Sequence, residues 1–129
     1  MKIRQAQLES LQPIAERDFI DRLIDHVRAE HPEEVNAYAE SDLRRMAANG
    51  ISRARRYGIS VESSIAAFVD LMFSVAPNFD EQEHIHEVLT DASYPPDARV
   101  ELLGEMTLDA DWEQADARYD ESAWNVSFG

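Results

Sequence analysis

Apolar residues recur at helical spacing along most of the chain. Ile3, Leu8, Leu11 and Ile14 begin the pattern, and Pro13 interrupts it. The residue before a proline avoids the helical region, so the pattern predicts a short first helix ending near Leu11. Pro13 then suits the first turn of a second helix. Ile14, Phe19, Ile20, Leu23, Ile24 and Val27 form the apolar stripe of that helix, with Asp21, Arg22, Asp25 and Arg28 opposite and Pro32 closing it. Leu43, Met46, Ala47, Ile51, Ala54 and Tyr57 make the next stripe, with Ser41 as its expected N-cap. Gly50 falls inside it, where glycine costs about 1 kcal/mol against alanine and often marks a close helix approach. Gly58 ends the stripe in the position of a C′ glycine.

Ser60 is the expected cap of the following helix. Ile65, Ala66, Phe68, Val69, Leu71, Met72, Phe73 and Val75 are apolar nearly all round, which predicts a helix buried at the centre of the domain. Pro77-Asn78 stops it, and Phe79-Asp80 reads as a turn capping a short acidic helix over 83–90. A last helix is expected from Pro96 through Ala115. No alternating strand pattern competes, and the one Asn49-Gly50 pair lies inside a helical stripe. The reading is an all-α, single-domain compact bundle of about five or six helices over 1–118. The tail, 119–129, has no periodicity and can pack through Trp124 and Phe128.

Composition supports one folded unit and adds an asymmetry. The chain has 129 residues, 12 basic against 26 acidic, a net charge of −14. Residues 1–65 carry 10 basic and 11 acidic side chains, whereas 66–129 carry only Arg99 and Arg118 against 15 acids, a net of −13. Such a half repels phosphates, so nucleic acid is an unsuitable partner, whereas a basic protein surface is attracted. With no cysteine, disulfides and thiolate chemistry are excluded. The N-terminus shows no apolar leader, and the longest nearly apolar stretch is far short of the roughly 20 residues of a membrane span. A cytoplasmic protein without membrane association is expected.

The segments Arg53-Ala54-Arg55-Arg56-Tyr57-Gly58-Ile59, Phe68-Val69-Asp70-Leu71-Met72-Phe73 and Ala76-Pro77-Asn78-Phe79-Asp80 together carry a resemblance. They are similar to small helical bacterial proteins encoded beside type VI secretion spike, PAAR and effector genes, with a pattern like "RA..YGI … VDLMF..GP.FD". The likeness spans residues 1–108, and Ala76 stands where that pattern has glycine. It implies a place in effector delivery and a protein partner: a secreted effector, a toxin or a spike component.

The residues themselves admit a structural account. Asp70, in the apolar run, is expected to pair with Arg53, Arg55 or Arg56 as a clamp between two helices, since a buried carboxylate needs a partner. The arginine cluster with Tyr57, Phe79 and Asp80 is otherwise a candidate partner-binding site, able to grip a phosphate or an acidic peptide. Glu101, Glu105, Asp109 and Asp116 define a candidate acidic partner face. Catalytic signals are thin. His84 and His86 lie in Glu83-His84-Ile85-His86-Glu87, but on a helix they diverge by about 200° and cannot share an ion. His26 and His31 fall around a helix end, where a solvated or dipole-facing role is expected. No P-loop, nucleophile elbow or zinc-protease pattern is present. The leading expectation is a non-enzymatic interaction module, an adaptor or chaperone for an effector or spike component, needing no cofactor and no metal. The alternatives are an immunity protein or acidic inhibitor covering a cognate toxin, and a metal-dependent enzyme.

Overall fold

In the computed structural model, residues 5–125 are described, with side chains from 16 onward. Seven α-helical segments and two 3₁₀ turns, with no strand, make up the ordered backbone among the described residues. In chain order these are α1 (Gln5–Glu30), α2 (Pro32–Val35), α3 (Glu40–Arg56), α4 (Glu62–Ser74), a first 3₁₀ turn (Phe79–Glu81), α5 (Glu83–Leu89), α6 (Pro96–Met106), α7 (Asp109–Ala117) and a second 3₁₀ turn (Glu121–Asn125). The fold is an all-α bundle.

The stripes explain the packing. Leu43, Met46, Ala47, Ile51 and Ala54 turn one face of α3 inward, and Ile65, Phe68, Val69, Met72 and Phe73 do the same for α4. These faces meet directly, and α1 lies across both through Phe19, Leu23, Ile24 and Val27. At Gly50 the α3 backbone comes so near α4 that an added Cβ would sit 2.9 Å from Val69 Cγ2. The glycine is therefore a packing requirement, as its place in the stripe indicates. Gly58 adopts φ +85°, the left-handed conformation that ends α3, and Ile59 behind it is buried.

Four expectations about elements need correction. The backbone of α1 runs unbroken through Pro13, because a proline forfeits one hydrogen bond and can bend a helix without ending it. The first helix expected to stop near Leu11 is thus part of α1, and Ile3 lies outside the described residues. The second correction is that α4 is buried on one face only: Ala67 is exposed and Ala66 and Leu71 are half-buried. Third, neither Ser41 nor Ser60 is an N-cap; those positions fall to Ala39 and Val61. The start of α4 is instead satisfied from α6, where Asp97 Oδ1 accepts the N–H groups of Ser60 and Val61 at 2.9 Å each. Fourth, the helix from Pro96 is two helices. Thr107 turns extended and returns its hydroxyl to Leu103 O, and Asp111 accepts the Leu108 N–H at 2.9 Å to open α7.

The segment after α7 is held in place. Asn78 donates to Arg118 O at 3.0 Å and accepts the Asp120 N–H at 3.0 Å. Trp124 is buried, its ring 4.6 Å from that of Phe73. Phe128 lies outside the described residues.

Candidate functional site

The resemblance motif assembles around one buried ion pair. Arg53 projects from the last turns of α3 and Asp80 from the first 3₁₀ turn, with side chains 8% and 4% exposed. Arg53 Nε donates to Asp80 Oδ1 at 2.9 Å, and Nη2 donates to Glu81 Oε2 at 2.8 Å. Tyr57 donates its hydroxyl to Asp80 Oδ2 at 2.6 Å, so both carboxylate oxygens are used. Burial works against the Arg53 charge, but Asp80 and Glu81 outweigh it and raise its pKa. Burial, reinforced by the Asp80 charge, pushes the Tyr57 phenol far above its usual range.

Behind this network stands an aromatic column. Phe79 is fully buried, 4.9 Å from Phe68 and 6.0 Å from Trp112 by ring centroids, and Tyr57 tilts on Phe68 at 5.8 Å. Phe79 thus anchors the 3₁₀ turn that presents Asp80. It does not cap the next helix: Gln82 does, accepting the Ile85 N–H at 2.9 Å.

In front lies a cleft of about 460 Å³ lined by Arg56, Glu81, His86 and Thr90 with Arg53, Tyr57 and Asp80. His86 Nδ1 is 3.2 Å from Asp80 O and 3.3 Å from the Tyr57 oxygen. The carbonyl only accepts, and the Tyr57 proton is committed to Asp80. Neutral His86 must therefore carry its proton on Nδ1, leaving Nε2 as the open acceptor of the ring. Sequence reading considers His86 with His84 as a metal pair that helical spacing rules out; its adjacency to Tyr57, 29 positions away, leaves no trace in local pattern.

Not every expected site residue gathers here. Arg55 faces α1 and pairs with Glu16 at 2.6 Å on the exposed side. Among the described residues Asp70 pairs with no arginine: His26 Nε2 and His31 Nε2 approach its Oδ1 at 3.0 and 2.7 Å. Asp70 is 30% exposed at the α1–α4 seam, and the buried arginine clamp belongs to Asp80 instead. Because an ionised carboxylate only accepts, both imidazoles present Nε2–H to it. The histidines thus lock the end of α1 onto α4.

His84 and His86 diverge on α5 as helical spacing requires. His84 Nδ1 pairs with Asp111 Oδ2 at 2.7 Å. The Leu108 N–H and His84 together hold the Asp111 carboxyl below its ordinary pKa. Among the described residues, no group of three His, Asp or Glu side chains is placed to hold a metal ion. No helix among them is long and apolar enough to cross a membrane. Glu101, Glu105, Asp109 and Asp116 are all exposed, but the break at Thr107–Leu108 puts the first two on α6 and the others on α7.

Arg53, Tyr57, Asp80 and Glu81 are bonded into one network, so the interior of the motif is a clamp between α3 and the first 3₁₀ turn. Only its rim faces solvent. No family model, curated protein or solved structure matches this chain.

Proposed function

We propose that this protein is a non-enzymatic adaptor or chaperone that binds a type VI secretion effector or spike component in the cytoplasm. The observation that carries the reading is a division of labour. The distinctive residues of the motif, Arg53, Phe79 and Asp80, are spent inside the fold. What the chain offers a partner is the exposed acidity of α6 and α7, within a half bearing a net charge of −13. An acidic surface speeds encounter with a basic partner and selects against an acidic one. The resemblance to proteins encoded beside spike and effector genes supplies the kind of partner.

The test is co-elution of the purified protein with the effector and spike components encoded near its gene. Capture at low salt that weakens as salt rises is expected. A variant carrying Glu101→Lys, Glu105→Lys, Asp109→Lys and Asp116→Lys should lose capture with an unchanged circular dichroism spectrum. Failure to bind any of these components, or capture indifferent to the four reversals, overturns the proposal. Rescue of cells expressing the neighbouring toxin, without any effect on its delivery, replaces it with an immunity role.

A further inference from the structure

The cleft in front of the clamp holds groups that the clamp leaves unsatisfied. Its volume is about 460 Å³, within the range of small-molecule sites, and each of the seven described residues lining it bears a polar or charged side chain. Such walls suit a small, strongly polar ligand, since an apolar one would strip them of water without replacing its hydrogen bonds. The two guanidiniums and two carboxylates among them sum to zero with His86 neutral, in a chain whose net charge is −14. The groups open to a ligand divide by wall. The first 3₁₀ turn and α5 bring acceptors. Glu81 commits Oε2 to Arg53, whereas Oε1 has no hydrogen bond among the described residues and the side chain is 64% exposed. His86 holds its proton on Nδ1 against Asp80 O, so Nε2 accepts. Thr90 gives its hydroxyl proton to His86 O at 2.8 Å, which leaves its oxygen lone pairs for a ligand. From α3 comes the exposed guanidinium of Arg56, a donor only.

We propose that this cleft binds a small zwitterion carrying an ammonium and a carboxylate, of which a free α-amino acid is the simplest. The ammonium is the matching donor for Glu81, His86 and Thr90, because it has only N–H bonds to give and Glu81 bears the opposite charge. The carboxylate is the matching acceptor for Arg56, whose planar fork can hold both oxygens. A simple anion would have Asp80 and Glu81 against it, and a simple cation would have Arg56 against it. A ligand bearing both charges meets each wall with its opposite. The acceptors are also set before a ligand arrives: Arg53 holds Glu81 at 2.8 Å, and Asp80 O orients the imidazole at 3.2 Å. The inference does not rest on the proposed adaptor role, whose surface lies on α6 and α7.

Isothermal titration calorimetry on the full chain, with the common free α-amino acids added singly, tests it. At least one should bind saturably at a single site, whereas acetate and ethylamine at the same concentrations should give no saturable heat. In nitrogen NMR spectra the ligand that binds should shift the His86 Nε2 resonance. Arg56→Met and His86→Phe should each weaken its binding about tenfold or more, the scale of one lost charge-assisted hydrogen bond. Both positions are exposed, and circular dichroism confirms that the variants fold. No saturable binding by any amino acid, equal binding of acetate or ethylamine, an unmoved His86 resonance, or an unaltered affinity in either variant overturns the proposal.

Discussion

Arg53 reaches Asp80 across 27 positions of sequence and 2.9 Å of space, with both side chains closed to water. Removing one member of such a pair strands the other charge, which typically costs about 3–5 kcal/mol. Asp80→Ala is therefore expected to lower the unfolding free energy by about that much, read from the midpoint of urea denaturation. Asp80→Asn should cost less, because its amide oxygen still accepts from Arg53. Equal losses for the two variants would show that the charge itself, not the hydrogen bonding, holds the clamp.

Asp97 supplies a pH dependence whose sign is determined. Its pKa lies below the ordinary 3.8, because it accepts the Val61 and Ser60 N–H groups. A carboxyl with a depressed folded-state pKa stabilises the fold above its unfolded value and loses that contribution as pH falls through the folded one. Asp97→Asn should be less stable than wild type at neutral pH, and the gap should close as the pH is taken below 3.8. Thermal melts of both proteins across that range check it; a gap independent of pH would rule out the carboxylate as the cap.

Gly50→Ala sets two effects against each other. Alanine gains about 1 kcal/mol in helix propensity. Its Cβ, however, would lie 2.9 Å from Val69 Cγ2 and 3.2 Å from Met72 Sδ, and overpacking of this kind costs about 1–3 kcal/mol. Net destabilisation is expected. In a double-mutant cycle with Val69→Ala, the two losses should sum to more than the loss of the double variant, since the smaller side chain makes room. Additive losses would place the strain elsewhere.

Trp124 fastens the C-terminal segment onto Phe73 and is 3% exposed. Trp124→Ala should cost about 3–5 kcal/mol, in the range for large aromatic deletions. Urea titration followed by circular dichroism measures it. A cost under about 1 kcal/mol, the scale of an ordinary surface change, would mean that the segment contributes little to the core.

The expected helix stripes and the observed core agree closely where local pattern governs. Leu43 to Ala54 show their inward face through spacing alone, whereas the run from Ile65 to Phe73 shows a helix but not which side of it is buried. Gly50 and Gly58 announce their roles through what glycine uniquely permits. Histidines 84 and 86 diverge because helical geometry dictates it. Pairing across elements is another matter. Asp70 and Asp80 are both acids near an apolar run, and nothing in their local sequence says which meets Arg53.

The amino-acid sequence by itself determined the helical class, the inward stripes and the concentration of acid in the second half, because periodicity and charge are properties of a chain read locally. Only the tertiary structure decided that Asp80 takes Arg53 and leaves Asp70 to two histidines, that Asp97 caps α4 from α6, and that α4 keeps one face uncovered. Each of those outcomes depends on how helices far apart in sequence settle against one another. Packing and desolvation, acting over a few ångströms, then choose among partners that the linear pattern leaves equivalent.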